Sequence, residues 1–233
     1  MSAIATERVE YAVTQIAAEV QLRLDRSPKM ELDERSLWLE FTCCVLSSQV
    51  PYELARGAAA MMDRSQLLFT RRSRSKTDLQ AELYKLLSTP VACNGHRRRY
   101  QFPRAKSAQI AQAHQVIMES HGTFAGVLQS YTSENACREW LVGNVPGLGP
   151  KQASMFLRNA AGVLDLAILD RHVLRYMTLA RLGSGSESLY LSNITSYVKQ
   201  EEQLRAYASR LGFRVGILDW AIWIVMRAAS TID

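Results

Sequence analysis

One amine and one carboxylate stand out in "VPGLGPKQASMFLRNAAGVLDLAILDRHVLRYM", Val145 to Met177. Lys151 follows a Gly-Leu-Gly-Pro turn and begins a helical run. Asp170, nineteen positions on, begins the next run. An amine can attack an electron-poor carbon and form a Schiff base. A carboxylate beside that carbon can stabilise the developing positive charge or help move the amine's proton. Each residue also has a plainer role. A lysine after a Gly-rich turn is a common phosphate contact, and Asp is well suited to capping a helix. A capping carboxylate can still be catalytic, so the two roles of Asp170 are compatible.

The elements that must position this pair follow from local chemistry. Gly147 and Gly149 permit a tight turn with positive φ and close backbone approach. Pro150 suits the first turn of the helix after it. The free N–H groups and positive dipole at that helix start can hold a phosphate without reading sequence. The same positive end disfavours a second positive charge and so favours the free form of an amine placed there. Ala153 is small enough for two helices to pack closely. "VPGLGPKQA" resembles a helix-hairpin-helix, over about residues 138–161. One helix of about three turns and a short return loop would bring the next helix start back toward the first. A free amine held there could attack the anomeric carbon of a nucleotide and expel its base.

Bulk composition narrows the partners. Lys and Arg total 28 against 22 Asp and Glu, a net charge of +6 that suggests an anionic partner, nucleic acid being the commonest. With 48% of residues apolar the chain is globular, not disordered. Cys43, Cys44, Cys93 and Cys137 form no CxxC pair, so neither a zinc site nor a four-cysteine iron–sulfur cluster is expected, and the thiols read as reduced and buried. The first residues carry no charged-then-apolar leader pattern. The longest apolar run, Ile217 to Val225, is interrupted by Asp219 and too short to span a bilayer. No membrane partner is expected, and a cytoplasmic location is.

Apolar periodicity is helical almost throughout. Helices are expected near 5–25, 34–49, 51–63, 77–88, 103–121, 133–143, 150–161, 170–182, 189–211 and 215–230. Thr132 or Ser133 can cap the helix carrying "ENACREWL". "GVLDLAIL" is strand-like but has no partner run nearby. The fold class is therefore all-α, with two helical lobes packed on one another in a single domain spanning 1–233. Two basic stretches interrupt the pattern. "RRSRSK", 71–76, reads as a solvated loop. "GHRRRYQFPRAK", 95–106, mixes arginines with Tyr100 and Phe102, a combination suited to a phosphate backbone and an unstacked base.

Together these stretches resemble the helix-hairpin-helix (HhH-GPD) DNA glycosylase superfamily. The resemblance is greatest to the second Ogg type of 8-oxoguanine DNA glycosylase/AP lyase. "VPGLGPKQASMFLRN", "LDLAILDRHVLR", "YQFPRAKSAQI", "REWLVGNVPGLG" and "LDWAIW" carry it over roughly 95–225. "VLSSQVPYELA" looks like the superfamily's Leu-Ser-x-Gln helix end, and the first thirty or so residues match nothing specific. The resemblance implies a bifunctional glycosylase/AP lyase that excises a damaged or modified purine, 8-oxoguanine first among them. It would act on double-stranded DNA as a cofactor-free monomer on the nucleoid, with its site in the cleft between the two lobes. Lys151 would be the Schiff-base nucleophile and Asp170 its acidic partner. Gly147, Leu148, Gly149, Arg171 and His172 would contact DNA, and Gln49 would enter the duplex as a wedge. Phe102 and Trp223 would wall the base pocket, with Asp219 near it. Family members carry a base-reading lysine shortly after the counterpart of Trp223. This chain ends "RAASTID", and its nearest basic residue is Arg227. That departure leaves open another guanine-like base, such as a deazaguanine or a phage DNA modification in a defence setting. A non-catalytic DNA-binding module is a further alternative, though it would have little need of Asp170.

Overall fold

Helix-start chemistry accounts for most element boundaries. In the computed structural model, which describes residues 3–26, 33–69, 75–93, 95–182 and 193–229, the elements run α1 (Ala3–Arg26), α2 (Glu34–Leu46), α3 (Tyr52–Ser65), α4 (Lys76–Leu87), β1 (Val91–Cys93), β2 (His96–Arg98), α5 (Pro103–Ser120), α6 (Phe124–Gln129), α7 (Glu134–Asn144), α8 (Pro150–Ala161), α9 (Arg171–Leu179), α10 (Ile194–Arg210) and α11 (Val215–Ala229). Asp33, Ser75, Thr123, Ser133, Asp170 and Asn193 each cap a helix by accepting a backbone N–H. Of the two possible caps before α7, Ser133 takes the role. No helix among the described residues is long and apolar enough to cross a membrane.

The chain divides into two units, a central one of residues 31–161 and a terminal one that joins 1–30 to 162–233. The core of the central unit is aromatic. Phe124 lies 4.6 Å from Trp38, 5.1 Å from Phe41 and 4.9 Å from Phe156, centroid to centroid. Glu34 ties this cluster together, accepting from Trp38 Nε1 at 2.8 Å and from the N–H groups of Phe124 and Ala125 at 2.8 and 3.1 Å. That second cap explains α6, whose six residues are too few to show a period.

The all-α expectation holds, with one short ribbon beside the helices among the described residues. β1 and β2 form a two-stranded antiparallel ribbon, β2 lying in the second basic stretch, with Ala92 opposite Arg97. Every residue of β2 is exposed. β1 lies so close to α3 that a Cβ on Gly57 would sit 2.8 Å from Ala92 O. Tyr100, just past the ribbon, is buried and donates its hydroxyl to Leu46 O at 2.8 Å. Residues 71–74 of the first basic stretch lie outside the described residues, as do the start expected for α10 and the last four residues of the chain.

In the terminal unit α1 and α11 pack side by side. Val13, Ala17 and Val20 share a core with Ile217, Leu218, Ala221, Ile222 and Met226, joined by Val173, Tyr176 and Met177 of α9 and Leu204 and Ala208 of α10. The N-terminal stretch that resembled nothing specific thus forms one wall of this unit's core. The four cysteines are free and buried.

Candidate active site

The hairpin is α7, a turn through Val145–Gly149, and α8. Leu148 N–H donates to Val145 O at 3.2 Å, which closes the turn. Gly147 has φ +94, a conformation that L side chains rarely adopt, and its missing Cβ would meet Val45 Cγ1 at 3.0 Å. Gly149 does not share that conformation, contrary to expectation, because one left-handed residue suffices to reverse the chain. Leu148 is 3% exposed with its N–H already engaged, so its side chain anchors the turn. Arg138, fully buried, binds the two helices together by donating from Nη1 to Ser154 Oγ at 3.2 Å and from Nη2 to Asn135 Oδ1 at 3.0 Å.

Lys151 is half-buried in the first turn of α8, beside the α2–α8 contact. Glu40 of α2 holds that contact, accepting from Asn159 Nδ2 at 2.7 Å and from the Cys44 thiol at 3.3 Å. Complete burial pushes the Cys44 thiol well above its ordinary pKa, Glu40 adds to this, and the charge of Lys151 opposes it, which places the amine near this thiol. The thiol is therefore a poor nucleophile.

Asp170 is the N-cap of α9. Its Oδ1 accepts from His172 N at 2.8 Å and Val173 N at 2.9 Å, and no hydrogen bond engages Oδ2 among the described residues. The preceding segment, 162–170, is neither helix nor strand. Side chains from later in the chain hold its backbone instead. Glu201 accepts from Ala167 N at 2.6 Å, and Asp219 accepts from Ile168 N at 2.5 Å. Tyr197 Oη accepts from Leu169 N at 2.9 Å and donates to Ala167 O at 2.7 Å. Glu201 and Tyr197 are fully buried, and Asp219 is 1% exposed. Arg214 adds a paired contact to Asp165 at 3.0 and 2.7 Å. Gly216 completes the support: its N–H donates to Leu164 O at 2.8 Å, and a Cβ there would meet that same oxygen at 2.8 Å. Asp219, expected near the base pocket, is thus turned onto the backbone that leads to Asp170. Sequence reading missed Glu201, Tyr197 and Gly216 as site supports. Glu201 stands four residues after Tyr197 and three before Leu204, on the stripe that α10 buries, and that spacing is the signal that could have drawn attention to it.

Gln49 sits in the turn between α2 and α3 with φ +63 and an exposed side chain, free to project as a wedge. Phe102 is the half-buried N-cap residue of α5. Trp223 is half-buried on α11, and Arg227 lies over its ring at 4.8 Å, so one face is already covered. Arg171 is exposed, and His172 is half-buried. Burial holds the His172 pKa below its ordinary 6.5 against the pull of Asp170, and Arg171, Arg227 and Arg175 act in the same direction as burial. Lys151, Gln49 and Phe102 belong to the central unit, and Asp170, His172, Trp223 and Asp219 to the terminal one.

A family model described as 8-oxoguanine DNA glycosylase matches residues 21–213. The 8-oxoguanine DNA glycosylase/AP lyase of Korarchaeum cryptofilum is 30% identical over 207 residues, 89% of this chain and 88% of its own. That of Sulfurisphaera tokodaii is 28% identical over 214 residues, 90% and 92% of the two chains. The crystal structure of the 8-oxoguanine DNA glycosylase of Thermotoga maritima superposes with a TM-score of 0.60 at 25% identity, covering 93% of this chain and 89% of that one. The chain belongs to the helix-hairpin-helix 8-oxoguanine DNA glycosylase family.

Proposed function

We propose that the chain excises 8-oxoguanine from duplex DNA and then cleaves the strand, with Lys151 as nucleophile and Asp170 as its carboxylate partner. In this reading both act on one nucleotide. The Lys151 amine attacks C1′, the C1′–N9 bond breaks, and the base leaves with its electron pair and takes up a proton. The secondary amine left on C1′ opens the sugar ring to a Schiff base. Loss of a C2′ proton then expels the 3′ phosphate by β-elimination. Asp170 stabilises positive charge developing on the sugar and carries the proton that Lys151 must lose. The observation that carries the assignment is the division of labour within the Asp170 carboxylate, where one oxygen caps α9 and the other is left unengaged. Glu201, Tyr197 and Asp219 hold the three N–H groups before it, which fixes where that carboxylate stands.

Gly147 and Gly149 of the hairpin, with Arg171 and His172, hold the strand. Gln49 fills the gap left by the extruded base, and Phe102 and Trp223 flank that base. No metal or cofactor enters these steps, and the protein works as a monomer on the nucleoid, in the cytoplasm. Borohydride trapping on duplexes carrying 8-oxoguanine and a panel of other modified purines tests the reading. Wild type should give a covalent adduct with 8-oxoguanine, and Lys151→Gln none. Asp170→Asn, which keeps an oxygen for the cap, should trap at least about 100-fold more slowly. Trapping with another modified purine but not with 8-oxoguanine would reassign the base. Absence of any adduct across the panel would leave a binding module.

A further inference from the structure

Lys106 is not explained by anything above. It lies in the first turn of α5 and is 8% exposed. Burial is the one influence on its ammonium, pulling its pKa below the ordinary 10.5, and no acid among the described residues opposes this. A cation taken out of water without a partner weakens the fold, and natural cores rarely keep one unless something compensates. Lys106 lines a pocket of about 390 Å³ walled also by Ser48, Gln109, Gln152 and the hairpin from Val142 to Gly149. None of the lining side chains is a carboxylate. Gln109 Oε1 is buried there with no hydrogen-bond partner, 3.3 Å from where a Cβ on Gly147 would stand. The pocket therefore offers one positive charge among neutral amides, between the Gln49 turn and the hairpin.

We propose that this pocket seats one backbone phosphate of the bound DNA strand and that Lys106 is its counter-charge. The proposal rests on the DNA-acting reading above. The hairpin offers a phosphate only neutral N–H groups, and Lys106 supplies the full charge that those groups lack. The phosphate in turn supplies what the fold denies Lys106, a partner for a desolvated ammonium.

Such a residue has a signature that a structural lysine lacks: an apolar replacement of similar shape improves the fold while weakening DNA binding. The test is equilibrium binding of the full chain to an 8-oxoguanine duplex, in a Lys151→Gln background that cannot form the adduct. Adding Lys106→Met should weaken affinity about tenfold and flatten the dependence of log affinity on log salt by about one, with Tm equal or higher. Lys85→Met, which removes a charge from the exposed face of α4, should change neither. Methylphosphonate substitution at single positions around the lesion locates the partner. At one position it should cost the parent about tenfold and cost the Lys106→Met protein nothing more.

Unchanged affinity and salt slope in Lys106→Met would overturn the proposal. So would methylphosphonate penalties that simply add at every position. Stabilisation of the parent, but not of Lys106→Met, by inorganic phosphate with no change in DNA binding would assign the pocket to a free anion instead. Because binding is read without chemistry, a chain that never traps with borohydride would defeat the proposed reaction and leave this result standing.

Discussion

Lys151 and Asp170 are held in place by opposite means. Lys151 stands on a helix whose start is set by its immediate neighbours, a closed turn, one left-handed glycine and a proline. Asp170 ends a segment with no regular structure, and side chains 28, 34 and 51 positions away hold the N–H groups before it. In the proposed reaction the lysine is a long side chain that must swing to reach carbon, so its base need only be firm. The carboxylate is short, and its position is that of its backbone. Local chemistry is enough for the first. The second needs a frame, and buried acceptors provide it at the risk that each becomes a liability once its partner is removed.

The difference can be broken from the Asp170 side with the largest effect. Asp219→Ala leaves Ile168 N–H buried without its acceptor and opens a void in the core. It should lower stability by about 3 kcal/mol in chemical denaturation and slow trapping. Asp219→Asn keeps an oxygen at that position and should restore most of both. If Asp219→Ala alters neither stability nor trapping, the frame is not what positions Asp170.

Gly216→Ala comes next. The new methyl would lie 2.8 Å from Leu164 O, so the segment leading to Asp170 must shift. A loss of about 2 kcal/mol is expected, with a fall in single-turnover rate and little change in DNA affinity.

On the Lys151 side the expected readout reverses. Gly147→Ala forces a side chain into φ +94 and against Val45, at a cost of about 1 to 2 kcal/mol. Its main effect should be weaker DNA binding, with single-turnover rate at saturating DNA less affected than in Gly216→Ala. Equal losses of rate in the two variants would erase the distinction.

The smallest expected effect concerns pH. Burial holds His114 below its ordinary pKa of 6.5, against its hydrogen bond to Leu68 O and the charge of Glu34. The unfolded chain therefore takes up the proton first. Stability is fully present above pH 6.5 and declines as pH falls through that value toward the lowered folded pKa. His114→Gln should flatten this decline in denaturation midpoints measured between pH 7.5 and 5. His172, also lowered, should leave a residual slope.

What could be read in the chain and what could not divide along the same line. The periods of 3.6 marked ten helices, and the Gly-Leu-Gly-Pro turn marked the hairpin. Asp170 announced itself as a cap, a role set within three residues of itself. These features rest on contacts between near neighbours, so residue order contains them. The six-residue α6 escaped because its second cap is a glutamate ninety positions earlier. The ribbon escaped because three-residue strands are too short to show alternation.

The sequence by itself determined the helical class, the hairpin turn that precedes Lys151 and the cap that starts α9, since each follows from residue type and spacing. Tertiary structure alone decided that Asp219 holds the backbone at Ile168, that Leu148 anchors the turn, that Glu201 and Tyr197 hold the approach to Asp170, and that Lys106 is buried with no acid beside it among the described residues. Burial and long-range pairing depend on which distant segments meet, and neither property resides in any short stretch of the chain.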